Sequence, residues 1–371
     1  MSKVHGIVYA YHSSPRLGDL TRYRTNASLP FCGRYRLIDF ALSSLSNAGV
    51  HSVGVIMQRD YQSLLDHLGS GKAWDLSRRS GGKKGGLPLL PPFGVNTRGD
   101  YTGTAEALNA VISYVRNIPE SEIVLMPADI VCNLDLAAAI AQHDASGCGI
   151  TAICRGGAVT GEHHRYLTDV HGRVTKLITS ASAGAGVAAM EIYIVNKDVL
   201  LSILDFCAQE NRFHFHRDGL FEYLGRGGTM DVFLHTGYAV RVDAVADYFA
   251  ASMDMLDPDA RASLFPADRP VRTKERADVS TYYGEHAHVE NCLVADGCFI
   301  EGTVTDCILF RGVRVARGAH LSRCIVMQDT CIAADAILQY AIADKNVRIG
   351  PAVTLTGCEA LPIVIPKGSE L

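Results

Sequence analysis

The first residues able to bind a charged ligand follow a short apolar run near the start of the chain. Residues 6–10 predict a buried strand, and a Cys32-Gly33 turn lies further along. In α/β proteins, the segment after the first strand binds phosphates because backbone N–H groups can close on their oxygens. Five arginines lie in this region: Arg16, Arg22, Arg24, Arg34 and Arg36. They predict either a site for a phosphorylated effector or a set of solvated charges and salt bridges.

The elements that must position these residues are predicted by alternating patterns over residues 1–255. Short apolar runs such as 53–56 and 123–126 predict strands, whereas 105–116 and 136–144 predict helices. This alternation favours an α/β, Rossmann-like domain with a mostly parallel sheet covered by helices.

The pattern changes in the last part of the chain. Residues 256–284 are mostly polar, contain prolines and predict a linker. From residue 285 to 371, apolar residues recur every four to seven positions, as at Val315, Leu321 and Val326. A repeat near six predicts a left-handed parallel β-helix. A β-sandwich is a weaker interpretation because hairpin signals are sparse.

Composition limits the function classes. The 371 residues suffice for two domains. A net charge of −4 gives no reason to expect nucleic acid or an anionic membrane as a partner. No signal peptide and no apolar run of about 20 residues is found, which predicts a cytoplasmic protein. The 11 cysteines lack a C-x-x-C pair and predict buried free thiols rather than a disulfide or zinc framework.

The N-terminal stretch resembles the signature of the sugar-nucleotide pyrophosphorylases, and among them the bacterial ADP-glucose pyrophosphorylases (glucose-1-phosphate adenylyltransferases). The matching residues are Arg16-Leu17, Leu20-Thr21, Arg24, Pro30-Phe31, Gly33 and Tyr35 to Phe40. The order of domains also matches that family. The resemblance implies a nucleotidyltransferase-like domain over 1–255, a linker over 256–284 and a β-helix over 285–371.

The chain departs from the family at the positions that carry its chemistry. Tyr11 and His12 replace two glycines that let the backbone approach a triphosphate. Asn26 and Ser180 replace two phosphate-binding lysines, and Arg241 replaces a magnesium-binding aspartate. Glu191 replaces a glycine of the sugar pocket. No catalytic residue set is therefore expected to be intact.

Other family positions are kept. The resemblance implies that Arg16 and the Gly103-Thr104 step are remnants of a nucleotide site, although Thr104 fits equally well as the N-cap of a helix. It also implies that Asp129 is a magnesium ligand. Because Arg241 replaces the second aspartate, we expect an ion pair with Asp129 and no room for the metal, unless Asp243 acts as a shifted ligand.

Together these features predict a non-catalytic, regulatory subunit that supports ADP-glucose synthesis for glycogen. The resemblance implies a catalytic adenylyltransferase subunit as partner in a mixed tetramer, with magnesium needed there and no cofactor required by this chain. Arg24, Arg34 and Arg36 are the candidates for binding a phosphorylated effector. The alternatives are a weakly active adenylyltransferase and, less well supported, an acyltransferase, since β-helices often serve that chemistry.

Overall fold

The computed structural model of the chain describes residues 3–77, 85–91, 101–156, 164–178 and 186–371. Ser180 lies outside these residues. Among the described residues, no helix has both the length and the apolar content needed to cross a bilayer.

The first domain is built on a sheet whose centre is parallel. The strands of this domain, in chain order, are β1 (Val4–Tyr9), β2 (Pro30–Phe31), β3 (Tyr35–Arg36), β4 (Val53–Ile56), β5 (Leu89–Leu90), β6 (Glu122–Pro127), β7 (Ile130–Cys132), β8 (Ile150–Arg155), β9 (Arg165–Thr168), β10 (Val174–Ile178), β11 (Val187–Asn196), β12 (Met230–His235) and β13 (Ala239–Arg241). Strands β5, β4, β1 and β6 pair in parallel, in that order. Strand β11 then pairs antiparallel with β6, β8 and β9.

Helices cover both faces of this sheet. The helices that precede the β-helix are α1 (Leu37–Asn47), α2 (Gln62–Leu68), α3 (Thr104–Ala110), α4 (Ile112–Arg116), α5 (Leu136–Ser146), α6 (Lys197–Gln209), α7 (Leu220–Gly225), α8 (Val245–Asp254) and α9 (Pro258–Leu264). Side-chain caps fix several starts: Asp39 accepts from the Arg36 N–H at α1, and Asp247 accepts from the Ala244 N–H at α8. The single helix predicted over 105–116 is interrupted at Val111, where φ is −115°.

The second domain is a parallel β-helix with three faces. Its strands are β14 (Tyr282–Tyr283), β15 (His288–Glu290), β16 (Leu293–Val294), β17 (Phe299–Ile300), β18 (Thr303–Thr305), β19 (Ile308–Leu309), β20 (Arg314–Val315), β21 (His320–Ser322), β22 (Ile325–Val326), β23 (Cys331–Ile332), β24 (Ile337–Gln339), β25 (Ala341–Ala343), β26 (Arg348–Ile349), β27 (Thr354–Thr356) and β28 (Ile363–Ile365). Every third strand stacks in one of three parallel sheets. The predicted fold class, an α/β domain followed by a left-handed β-helix, is confirmed.

The corners of the β-helix follow a repeated backbone rule. Asn291, Asp306, Arg323 and Tyr340 occupy one corner in successive coils, and each has a positive φ between 48° and 51°. After the first three of these residues the next residue is a cysteine whose thiol donates to a carbonyl in the same corner, as from Cys307 to Thr305 at 3.1 Å. Polar corner residues and inward apolar residues together produce the repeat near six.

The two domains share an apolar core. Leu20, Phe31 and Tyr248 of the first domain are buried with side chains that point from one face of the β-helix. The β-helix residues in this cluster are Ile308, Phe310, Ile325, Met327 and Ile342. The segment 256–284, predicted as a linker, contains α9, and Phe265 at its end stacks on Tyr35 with ring centres 5.2 Å apart. This junction fixes the first domain against the β-helix.

Candidate functional site

The candidate nucleotide pocket lies beyond the carboxyl end of β1 and is lined by tyrosines. The ring of Tyr11 packs edge-on against Tyr101 at 5.1 Å and against Tyr9 at 6.2 Å. Burial, together with the carboxylates of Glu191 and Asp129, raises the pKa of Tyr11 well above its usual value. Tyr11 is thus a fixed apolar wall where a glycine would leave the backbone open.

His12 and Arg16 bind carboxylates of the chain itself. His12 Nε2 and Arg16 Nη2 each lie 3.3 Å from an oxygen of Asp243, and Arg16 also lies 3.8 Å from Asp247. The pKa of Asp243 is lowered: partial burial opposes ionisation, but hydrogen bonds from Ser14 and His12 outweigh it. Asp243 therefore pairs with Arg16, the cation expected to bind a nucleotide.

Asn26 has a structural role that the sequence did not indicate. Its side chain is fully buried. The carbonyl oxygen accepts from the Ser14 N–H at 3.0 Å, and the amide donates to the Val242 carbonyl at 3.3 Å. Asn26 therefore holds the loop after β1 against the segment after β13.

The Gly103-Thr104 step begins α3, but Gly103 and not Thr104 occupies the N-cap position. A Cβ on Gly103 would lie 2.4 Å from the Phe213 carbonyl oxygen, so only glycine fits here. The same carbonyl accepts from the N–H groups of Ala105 and Glu106. Donors at this helix start are thus bound within the chain.

Arg241 pairs with Glu191, which corrects the expected ion pair with Asp129. Its Nη1 lies 3.2 Å from Glu191 Oε2, and its Nη2 donates to the Met190 carbonyl at 3.2 Å. Burial disfavours the charged form of Glu191, yet the guanidinium outweighs it and brings the Glu191 pKa to about 2. Each side chain of this pair therefore balances the charge of the other.

Asp129 remains beside this pair. It is buried, and its Oδ1 has no hydrogen-bond partner among the residues that the structure describes. Its charge helps to raise the pKa of Arg241. Magnesium prefers oxygen ligands from one or two carboxylates plus phosphates. With a guanidinium at the second position, the described residues around Asp129 do not fit that ion.

Two imidazoles complete this side of the pocket. His164 precedes β9, and His216 lies in the π-helical turn Phe215–Gly219. Their ring centres are 3.8 Å apart, and His164 Nε2 lies 4.0 Å from Glu191 Oε1. Burial, partly offset by Glu191, lowers the pKa of His216 to about 4, so its ring is neutral near pH 7. The run His214-Phe215-His216 is the sequence feature that could have indicated this cluster.

A second charged region lies at the domain junction. Arg24 is buried and forms an ion pair with Asp344 of the β-helix, whose side chain is 1% exposed. Arg24 Nη1 has no hydrogen-bond partner within the described ranges. The two residues are separated by 320 positions, so the sequence alone gave no indication of the pairing.

More cations than carboxylates meet at this junction. Arg36 donates to Ser63, and desolvation, together with nearby Arg24, lowers its pKa to about 10 despite Asp39. Desolvation, then Arg36 and Arg24, lower the pKa of Lys345 to about 7. Of the three predicted effector arginines, Arg24 and Arg36 are brought together with Lys345. Arg34 is exposed, with its guanidinium over the Tyr35 ring.

Comparison with known proteins supplies the family. Residues 6–257 match the nucleotidyl transferase family, and residues 277–359 match the GlmU-like C-terminal hexapeptide family. The chain belongs to the nucleotidyl transferase family. It is similar to glycogen biosynthesis protein GlgD of Bacillus subtilis (strain 168), with 32% identity over 95% of this chain and 92% of that protein.

Two further relatives show how similarity is distributed within the family. GlgD of Geobacillus stearothermophilus is 32% identical over 99% of this chain and 97% of its own length. The glucose-1-phosphate adenylyltransferase of Clostridium perfringens (strain 13 / Type A) is 27% identical over 89% of this chain and 84% of that protein. The resemblance seen in the N-terminal motifs thus extends over both domains.

Proposed function

We propose that this chain is a non-catalytic, regulatory subunit of a glucose-1-phosphate adenylyltransferase and takes part in glycogen biosynthesis. The names of its GlgD and adenylyltransferase relatives support the pathway. The observation that carries the non-catalytic role is the Arg241–Glu191 ion pair. The resemblance implies an aspartate that binds metal at position 241 and a glycine of the sugar pocket at position 191.

The charges of the pocket support the same proposal. Nucleotidyl transfer depends on positioning and on neutralising phosphate charge. Here Arg16 is bound to Asp243, Arg241 is bound to Glu191, and Asn26 is used to hold a loop. No lysine replaces them among the pocket positions that the structure describes. An incoming triphosphate would have to break existing ion pairs before it gained new ones.

Such a subunit acts through its partner. The catalytic subunit would convert ATP and glucose 1-phosphate to ADP-glucose and pyrophosphate with magnesium, in a mixed tetramer located in the cytoplasm. A non-catalytic subunit raises activity only if it binds the active and inactive states of its partner with different affinities. No cofactor would be needed by this chain for that role.

Steady-state assays of ADP-glucose formation test the proposal. The purified chain, the catalytic subunit from the same source and an equimolar mixture are compared with saturating ATP, glucose 1-phosphate and magnesium. We expect the chain alone to turn over far more slowly than the order of 10 s⁻¹ typical of enzymes. The mixture should exceed the catalytic subunit alone. Light scattering after size exclusion checks for the mixed tetramer.

Two outcomes would refute the proposal. Turnover of the order of 10 s⁻¹ by the chain alone would show a catalyst. A mixture with unchanged activity and separate elution of the two chains would exclude the regulatory role. A weakly active adenylyltransferase is the second candidate, favoured by Asp129, which is retained and buried in the pocket.

The same proposal assigns the junction cations to a phosphorylated effector. Arg36, Lys345 and Arg24 supply positive charge next to two buried carboxylates, Asp344 and Asp39. Calorimetric titration with inorganic phosphate tests this, comparing Arg36→Ala with the matched variant Arg34→Ala. Loss of a charge-assisted hydrogen bond should weaken binding about tenfold or more in Arg36→Ala only. Equal affinities in both variants would contradict the assignment.

A further inference from the structure

We infer that His164, Glu191 and His216 form a binding site for a transition-metal ion of the zinc class. Among the residues that the structure describes, these three make up the cluster whose ligand atoms all lie within 4.8 Å of one another. The inference is independent of the proposed regulatory role, because it concerns which ion these side chains hold and not what the subunit does.

The donor set selects the metal. Two imidazole nitrogens and one carboxylate oxygen suit zinc and its neighbours, whereas magnesium and calcium require oxygen ligands. Two histidines and a glutamate are a known zinc set that leaves the fourth position open to water. Zinc bonds of about 2.0–2.2 Å place neighbouring donors roughly 3.3–3.6 Å apart. His164 Nε2 and Glu191 Oε1 are 4.0 Å apart, so a small side-chain rotation closes the site.

The backbone holds each ligand on a separate element. The His164 carbonyl accepts from the Ala189 N–H at 2.8 Å, two residues before Glu191. Glu191 lies in the bulge of β11 with a φ of 57°, a conformation that a non-glycine residue adopts at some energetic cost. Phe215 packs against Tyr193 at 5.4 Å and thereby fixes the turn that carries His216.

The two oxygens of Glu191 have different partners. Oε2 binds Arg241, whereas Oε1 faces His164. Outer hydrogen bonds of this kind orient metal-binding carboxylates. The Arg241–Glu191 pair therefore leaves one oxygen directed at the imidazoles. A bound ion would connect β11, the residue before β9 and the Phe215–Gly219 turn.

Cobalt titration of the full chain tests the site. Bound metal is removed from the protein with EDTA, and the protein is desalted. It is then titrated with Co²⁺ in a buffer that contains a phosphine reductant. Visible d–d absorption is the readout, and Zn²⁺ is added as a competitor. We expect one Co²⁺ per chain, displaced by Zn²⁺ and not by excess Mg²⁺. His164→Ala or His216→Ala should weaken binding by more than the 10–100-fold typical of losing an outer-shell partner.

The chain offers a matched control two residues away. His214 has its ring centre 6.2 Å from that of His216 and is outside the cluster, so His214→Ala should bind Co²⁺ with wild-type affinity. Equal affinity in His214→Ala and His216→Ala would overturn the inference. Thiolate charge-transfer bands would do the same, because they would place the ion on cysteines. If circular dichroism shows a misfolded His216→Ala, Glu191→Gln decides: unchanged affinity in that variant also overturns the site.

Discussion

The pocket beyond β1 and the junction beneath the β-helix both collect arginines, but they use them differently. In the pocket, Arg16 and Arg241 are each bound to a carboxylate, Asp243 and Glu191 respectively. At the junction, Arg24 is paired with Asp344, and Arg36 and Lys345 add further positive charge. Burial and the repulsion between these cations lower the pKa values of the Arg36 and Lys345 side chains. The comparison teaches that local charge balance, rather than the number of arginines, indicates which region is suited to an anion.

The largest expected effect comes from breaking the junction ion pair. Arg24→Ala leaves the Asp344 carboxylate buried without its counter-charge, since that side chain is 1% exposed. Removing one member of a buried pair typically lowers the free energy of unfolding by about 3–5 kcal/mol. Urea unfolding measures the change. Arg34→Ala, at an exposed arginine, should stay within about 0.5 kcal/mol. A loss below about 1 kcal/mol in Arg24→Ala would show that the junction tolerates an unpaired carboxylate.

In the pocket, the next largest effect should follow loss of Asn26. Asn26→Ala removes the acceptor for Ser14 and the donor to Val242 in a fully buried position. Leaving such backbone groups unsatisfied costs about 1–3 kcal/mol. His12→Ala is the matched variant in the same loop; its half-exposed ion pair should contribute less than about 1 kcal/mol. Equal decreases in the free energy of unfolding of Asn26→Ala and His12→Ala, measured by chemical unfolding, would mean that Asn26 does not hold the loop.

A double-mutant cycle measures how strongly the pocket neutralises itself. Arg241→Gln, Glu191→Gln and the double variant should give a coupling energy between about 0.5 and 3 kcal/mol, as found for residues in direct contact. Arg116–Asp205 offers a comparison pair with both side chains more than half exposed. Its coupling should lie within about 0.2–1 kcal/mol. If the exposed pair couples more strongly than Arg241–Glu191, the pocket charges are free to bind other ions.

The smallest effect, expressed per pH unit, is a dependence of the free energy of unfolding on pH that is caused by Lys345. Its folded pKa of about 7 lies below the usual 10.5, so the unfolded chain binds more protons between these values. The free energy of unfolding should therefore rise with pH from about 7 towards 10, by less than about 1.4 kcal/mol per unit because the side chain is only partly buried. Well below pH 7, both states carry the proton and this contribution no longer varies.

Adding sulfate makes this test more specific, because the charge of sulfate is constant between pH 7 and pH 10. An anion at the junction favours protonated Lys345, so sulfate should raise the melting temperature more at pH 7 than at pH 9. Lys345→Gln should remove both this difference and the pH slope. Persistence of the slope in Lys345→Gln would assign it to another group.

The sequence predicted the architecture because each domain repeats a local pattern. The apolar run at residues 6–10 and the recurrence of Leu321 and Leu338 reflect burial, which local periodicity records. The sequence also predicted that Asn26, Glu191 and Arg241 are positions at which this chain departs from its family. Their present roles were not predictable, because the partners of Asn26 and Arg241 are set by tertiary packing: Val242 is 216 residues from Asn26, and Glu191 is 50 residues from Arg241. The prediction that Arg241 pairs with Asp129 was wrong for the same reason: its partner is Glu191.

The shared core between the domains constrains how such a chain can evolve. Phe310, Met327 and Ile342 of the β-helix are fully buried, in one cluster with Leu20, Phe31 and Tyr248 of the first domain. A gene shortened to the β-helix would expose this apolar face to water and invite aggregation. Selection can therefore alter the pocket residue by residue, but it cannot discard the domain that carries the pocket. The first domain is thus needed to cover this face of the β-helix, whatever its pocket binds.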